Sequence, residues 1–180
     1  MRKVILDLAV TLDGFIEGPN GEIDWCIVDG EMNFDEFLSD IDTIFYGRIS
    51  YDLWGKYQPE EGASEAEKNL WKGVHSKEKY VFSRNAQQDD KVTFINSDIA
   101  EMVKEIKSRE GKNIWLYGGG SLITTFINLG LVDIFRLAVH PVILGAGKPL
   151  FSDIDQRVNL ILDNIRASKS GVTLLHYHRE

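Results

Sequence analysis

Ile114-Trp115-Leu116-Tyr117-Gly118-Gly119-Gly120-Ser121-Leu122 places three glycines between an apolar run and the start of a segment with helical spacing. The pattern predicts a strand over Asn113–Tyr117, a turn at Gly118–Gly120, and a helix over Leu122–Leu129 that stops at Gly130. Without Cβ atoms, such a turn can bend sharply and approach a ligand closely. The helix start adds unpaired N–H groups and a positive dipole end, which suit a pyrophosphate, with Ser121 as a further donor. A tight turn with no ligand needs the same glycines, so this stretch alone leaves both readings open. The spacing is neither G-x-G-x-x-G nor a Walker A loop, which argues against a Rossmann domain and a P-loop enzyme.

Outward from this stretch, strands and helices alternate. Strands are expected at Val4–Val10, Thr43–Tyr46, Tyr80–Phe82 and Val92–Ile95. Helices are expected over Glu31–Asp40, from Ser64 to about Val74, and over Ile99–Ser108. The pairs Ser64/Glu67 and Asp98/Glu101 form capping boxes ahead of the last two. After Gly130 the helices give out. Ile134–His140 and Val172–His178 are strand-like, with a short apolar piece near Val158–Leu162 between them. Alternation implies a mostly parallel sheet with right-handed crossovers, and the helix-poor tail implies antiparallel strands added at one edge. With no repeat, low-complexity tract or linker, residues 1–180 read as one mixed α/β domain.

The 180 residues are 43% apolar and 27% charged, ordinary for a soluble globular chain. With 20 basic against 28 acidic residues, the formal charge is -8. That balance disfavours nucleic acid and anionic membrane as partners, so an anionic ligand must be held by a few local donors. Cys26 is the single cysteine. It allows neither an internal disulfide nor a cysteine-rich zinc site, and fits a reducing cytoplasm. Asp7 interrupts the apolar N-terminus, which reads as neither signal peptide nor membrane span.

Two more segments follow strands directly. In Gly47-Arg48-Ile49-Ser50-Tyr51, Arg48 can fork onto a phosphate and Ser50 offers a hydroxyl, although a lone arginine also serves in surface ion pairs. Ser83-Arg84-Asn85 alone reads as a polar turn. All three segments sit at carboxyl ends of predicted parallel strands, where ligands of open α/β sheets gather.

Ala9-Val10-Thr11-Leu12-Asp13-Gly14-Phe15-Ile16, the Gly47–Tyr51 segment, Ser83-Arg84 and Gly118–Leu122 occur here in the order found in dihydrofolate-reductase-like proteins. Gly130-Leu131-Val132-Asp133 and the run His140-Pro141-Val142-Ile143-Leu144-Gly145-Ala146-Gly147-Lys148-Pro149-Leu150-Phe151 are similar, more narrowly, to the RibD C-terminal domain of riboflavin biosynthesis. The resemblance spans about Val4 to His178. It implies an NADPH-dependent reductase, usually a homodimer, and most closely a 5-amino-6-(5-phosphoribosylamino)uracil reductase. Reduction of dihydrofolate or another pteridine, or a nucleotide-binding module without turnover, are the alternatives. It also implies that Gly118, Gly119, Gly120, Ser121 and Leu122 hold the pyrophosphate and that Gly47, Arg48 and Ser50 take the adenosine-side phosphates. Ser83 and Arg84 receive the 2′-phosphate that separates NADPH from NADH. Ala9 and Ile16 lie against the nicotinamide, and Trp25 sits in the loop closing over that ring. The zinc-deaminase ligands H-x-E and P-C-x-x-C, which often precede this domain, are absent.

The proton source is harder to place. Asp13, at the corner after the first strand, and Glu31, chosen over Asp29 and Asp35 near the first helix, are the catalytic candidates. Asp7, inside an apolar strand, is either a carboxyl with a raised pKa or a satisfied structural acid. His140 ends a strand before Pro141. His176 and His178 share one strand face, and two histidines without a third ligand make no metal site.

Overall fold

The computed structural model describes residues 1–85 and 89–180. The chain opens with β1 (Val4–Thr11) and the short β2 (Phe15–Glu17). A loop then leads through a 3-10 turn at Gly30–Met32 to α1 (Phe34–Ser39). β3 (Ile41–Gly47) runs into α2 (Arg48–Ser50), prolonged by a π turn over Tyr51–Gly55. Next come α3 (Glu65–His75), β4 (Glu78–Phe82), β5 (Thr93–Ile95), α4 (Ile99–Ser108), β6 (Asn113–Gly118) and α5 (Gly120–Asn128). The tail holds β7 (Ile134–His140), β8 (Lys148–Pro149), β9 (Leu160–Ala167) and β10 (Thr173–Arg179).

Eight strands form one sheet in the order β5-β4-β3-β6-β1-β7-β10-β9, while β2 and β8 pair as a small antiparallel ribbon. The strands from β5 to β7 are parallel, and β10 runs antiparallel to both β7 and β9. The sheet is therefore mixed α/β, as expected. One face packs Leu6, Phe45 and Leu116 against Val103 and Ile106 of α4 and Phe126 of α5. The other packs Ile44 and Trp115 against Phe37 of α1 and Val74 of α3.

Several local expectations change. β7 belongs to the parallel part of the sheet, because α5 carries the chain back along β1. The helix expected over Glu31–Asp40 is broken at Asn33, whose φ of 51° ends the 3-10 turn before α1 begins. Half of the Ser64 box forms: its hydroxyl accepts from the Glu67 N–H at 3.2 Å, while the Glu67 carboxylate accepts from the Tyr57 hydroxyl at 3.1 Å. Asp98 has φ of 50° and makes no side-chain cap, so the second box does not form. The piece near Val158–Leu162 becomes the eight-residue edge strand β9, hidden in the sequence by Asp163, Asn164 and Arg166.

One ion pair crosses the middle of the sheet. Asp7 of β1 stands opposite Arg136 of β7, and both are 6% exposed. Arg136 donates to the Asp7 carboxylate and, through its second terminal nitrogen, to the Met32 carbonyl at 2.7 Å. Its guanidinium also lies 4.8 Å from the centre of the Phe37 ring. Burial pushes the Asp7 carboxyl up to about 6, outweighing the downward pull of Arg136. Removing one partner strands the other charge in an apolar layer. Asp7→Ala and Arg136→Met are each expected to lower the unfolding free energy by about 3–5 kcal/mol, and the double variant by much less than their sum. Urea titrations of the four proteins check this; additive losses would mean that the two side chains are not coupled.

Candidate functional site

The end of β3 and the β6–α5 turn meet main chain to main chain. A Cβ on Gly47 would lie 3.4 Å from both the Gly118 oxygen and the Gly119 nitrogen. Gly118 has φ of +104°, in the region that favours glycine, and the Gly118–Gly119 peptide is cis. A Cβ on Gly119 would come to 3.0 Å from the Ser50 hydroxyl oxygen and 3.7 Å from Lys148 Nζ. On Gly120 it would reach Lys148 Cε at 3.2 Å and Ile16 Cδ1 at 3.9 Å. Turns from β2, β3, β6 and β8 thus converge on one spot. Gly119 is the N-cap of α5 and has no side chain to satisfy the first amides, so the N–H groups of Gly120 and Ser121 lack helical partners.

A cavity of about 290 Å³ opens beside this helix start, walled by Arg84, by Gly120, Ser121 and Thr124 of α5, and by Lys148, Ser152 and one carboxylate, Asp153. The arrangement is that of an anion cradle: bare main-chain donors, hydroxyls and two cations around a concave space. The Ser50 hydroxyl and the Lys148 side chain already stand 3.0 and 3.2 Å from where Cβ atoms on Gly119 and Gly120 would lie, so an anion would meet the α5 amides from the cavity side.

The structure brings Ile16, Gly47, Ser50, Arg84, Gly118, Gly119, Gly120 and Ser121 together. Leu122 points away into the core at 7% exposure. Arg48 donates to Asp52 at 2.9 Å, one turn along its own helical segment. The Ser83 hydroxyl donates to the Asn85 carbonyl at 2.9 Å and shapes the turn that carries Arg84. Ala9 is half-buried on β1, opposite Ala138. Trp25 sets its ring edge-on to His140 at 5.3 Å, and its indole N–H donates to the Glu22 carbonyl. The His140 ring nitrogens lie 2.9 Å from the Ala138 oxygen and 3.4 Å from the Ile27 oxygen, which docks the Trp25 loop on the end of β7.

The two candidate acids are engaged elsewhere. Asp13 accepts from the Thr11 hydroxyl at 2.6 Å and from the Leu144 and Gly145 N–H groups at 3.2 and 2.8 Å. The Thr11 bond, followed by the two amides, holds its carboxyl below the usual range, so it clamps the end of β1 to the loop before β8. Glu31 accepts from the Lys169 N–H at 3.2 Å at the β9–β10 hairpin, and β10 lies three strands from β6. Asp29, its neighbour, caps the 3-10 turn and accepts from the Ser170 hydroxyl.

Lys148 was not singled out by the sequence reading, although it stands within the His140–Phe151 run. Its ammonium bonds Glu17 at 3.0 Å across the β2–β8 ribbon. A cation trapped in a Gly-Ala-Gly-Lys-Pro stretch was the available signal. Burial, and then Asp24, push the Cys26 thiol up to about 11, which leaves it a poor nucleophile. Among the described residues, no group of three or more His, Cys, Asp or Glu side chains gathers as a metal site. Nor is any described helix long and apolar enough to cross a membrane.

With this geometry in place, the chain can be set beside known proteins. It is 62% identical over 178 residues to YyaP of Bacillus subtilis, covering 98% of this chain and 95% of that one. It is 33% identical over 183 residues to YwjB of the same organism, covering 99% and 98%. Among solved structures, a putative riboflavin biosynthesis protein from Shewanella sp. PV-4 superposes with a TM-score of 0.78 at 22% identity, over 100% of this chain and 99% of that chain. The Thermotoga maritima diaminohydroxyphosphoribosylaminopyrimidine deaminase/5-amino-6-(5-phosphoribosylamino)uracil reductase gives 0.71 at 18% identity, matching 99% of this chain but 57% of its own length. At these identities the structures establish the shared fold. The profile of the RibD C-terminal domain matches residues 2–174, and the chain belongs to the RibD C-terminal domain family.

Proposed function

We propose that this protein is an NADPH-dependent reductase of a small heterocycle, most similar to 5-amino-6-(5-phosphoribosylamino)uracil reductase. The observation that carries the reading is the meeting of Arg84, Gly120, Ser121 and Lys148 around one concave space, with Gly47 and Ser50 packed against the Gly118–Gly119 turn beside it. The Gly120 and Ser121 amides hold the pyrophosphate. Arg84 takes the 2′-phosphate, and Lys148, released from Glu17, neutralises the bridge. NADPH held in this way supplies the hydride. Main-chain atoms of Ala9 and the Ile16 side chain lie against the nicotinamide, and the Trp25 loop keeps water from it. Family membership and the reductase among the structural neighbours support the chemistry.

A second reading, a nucleotide-binding module without turnover, draws on one observation: Asp13 and Glu31 are both tied into structural hydrogen bonds. Titration followed by nicotinamide fluorescence and by loss of reduced-nicotinamide absorbance separates the two. Arg84→Ala is expected to weaken NADPH about tenfold and NADH little, and Lys148→Ala to weaken both. No saturable NADPH signal in the native protein would remove the reductase reading. Saturation without oxidation, across riboflavin precursors and pterins, would favour the module.

The same reading includes a homodimer acting in the cytoplasm. The edge strand β9 supports the dimer, since Leu160, Ile161, Leu162 and Ile165 are 36% to 58% exposed along an unpaired ladder. Light scattering is expected to give twice the chain mass, and Leu162→Lys with Ile165→Lys to give a folded monomer. A monomeric native protein at micromolar concentration contradicts the assembly.

A further inference from the structure

The register of the sheet lays a band of polar side chains across one face. Asp7 stands opposite Arg136, and Arg136 opposite His176. On the other side, Leu6 pairs with Leu116, which sets Tyr117 at the level of Asp7. Phe45 and Tyr46 of β3 pair with Leu116 and Gly118, and the irregularity between them leaves Tyr117 in the gap. Side chains alternate along strands, so Tyr117, Asp7, Arg136 and His176 share the face covered by α1. The Tyr46 ring joins them, 4.8 Å from that of Tyr117.

Asp7 and Arg136 satisfy each other. Tyr46 does not fit this account. Its side chain is fully buried, and its hydroxyl has no hydrogen-bond partner among the described residues. The neighbouring Tyr51 hydroxyl is already committed to Asp89 at 3.0 Å. Phenylalanine would fill the same volume without burying an unpaired polar group, so a hydroxyl kept here points to a partner that arrives with a ligand.

The position suits that partner. Ala9 is the next residue after Asp7 on this face of β1, about 6.8 Å along the strand. On the reductase reading, on which this step rests, the nicotinamide lies at Ala9, so the ring that accepts hydride lies beside the band. The loop bearing Trp25 and Cys26 comes close to Tyr117, and the Tyr46 ring also packs against that of Tyr51 at 5.9 Å.

We propose that the Tyr46 hydroxyl is a substrate-recognition contact. It hydrogen-bonds a polar ring atom of a flat heterocycle lying against Ala9 and Tyr117, and it selects for rings that carry that atom.

The test is Tyr46→Phe in the full chain, with 5-amino-6-(5-phosphoribosylamino)uracil and a dihydropterin as probes. Three readouts are compared with the native protein: ligand-free melting temperature, NADPH affinity by fluorescence, and KM for whichever probe is reduced. The expected result is an unchanged or higher melting temperature, unchanged NADPH affinity, and a KM raised about tenfold. An unchanged KM overturns the contact. A melting temperature several degrees lower also overturns it, because the hydroxyl then has a partner within the protein. NADPH binding with neither probe reduced by the native protein counts against the contact and favours the module without turnover. If the native protein binds no NADPH, the reductase reading itself has failed and takes this contact with it.

Discussion

Main chain from the β6–α5 turn passes against the end of β3 at the limit of van der Waals contact, and everything proposed for the site depends on that approach. The atoms that a Gly47 methyl would press on, the Gly118 oxygen and Gly119 nitrogen, belong to backbone that cannot swing aside. The approach brings Ser50 and the first amides of α5 to one place. The tighter constraint lies in the turn itself: a Cβ on Gly118 would meet Ile123 Cδ1 at 2.9 Å and one on Gly119 the Ser50 hydroxyl at 3.0 Å. The constraint is local, but the sheet enforces it: β3 and β6 are neighbours in a parallel ladder whose register fixes where both strands end.

A second constraint works from the opposite side of β1. Arg136 reaches from β7 to Asp7 and to the Met32 carbonyl, while His140 touches the Ile27 carbonyl and the Trp25 ring. One strand therefore positions both ends of the long loop before α1. The loop is tied down by polar contacts and edge-on aromatic packing, with Val28 fully exposed at its crest. The Met32 end is anchored in a small apolar cluster with Val172 and Leu174, whereas the Trp25–Val28 stretch is held by polar contacts and edge-on ring packing.

Much of this was legible in the residues. Strand–helix alternation gave the parallel sheet, and the glycine triplet marked the turn where α5 starts, because both signals are local and rest on side-chain size. What escaped depended on distant partners. β9 alternates poorly, and only its ladder with β10 makes it a strand. Asp13 looked catalytic beside a glycine corner, yet its acceptors are filled by amides some 130 positions later in the chain. Lys148 lay in plain view but gained meaning only when β8 folded back on β2. Tyr46 read as an ordinary apolar strand residue, since no sequence pattern reports whether a buried hydroxyl finds a partner.

Charge ties these observations together. On the reductase reading, a chain with a formal charge of -8 draws its anionic cofactor against its own field. One of the cations around the cradle, Lys148, is held by the Glu17 carboxylate, and each partner is at least a third exposed. Pairs that open to water contribute about 0–1 kcal/mol, so exchanging a carboxylate for a phosphate oxygen costs little. The pairing keeps the Lys148 ammonium near the site and shields it from unrelated anions. The bare amides of α5 cannot be neutralised by any side chain of their own helix, so they supply the part of the attraction that remains constant. On the reductase reading, selectivity for a phosphate bridge then comes from shape, because the ligand must reach those amides through the cavity between Arg84 and Lys148.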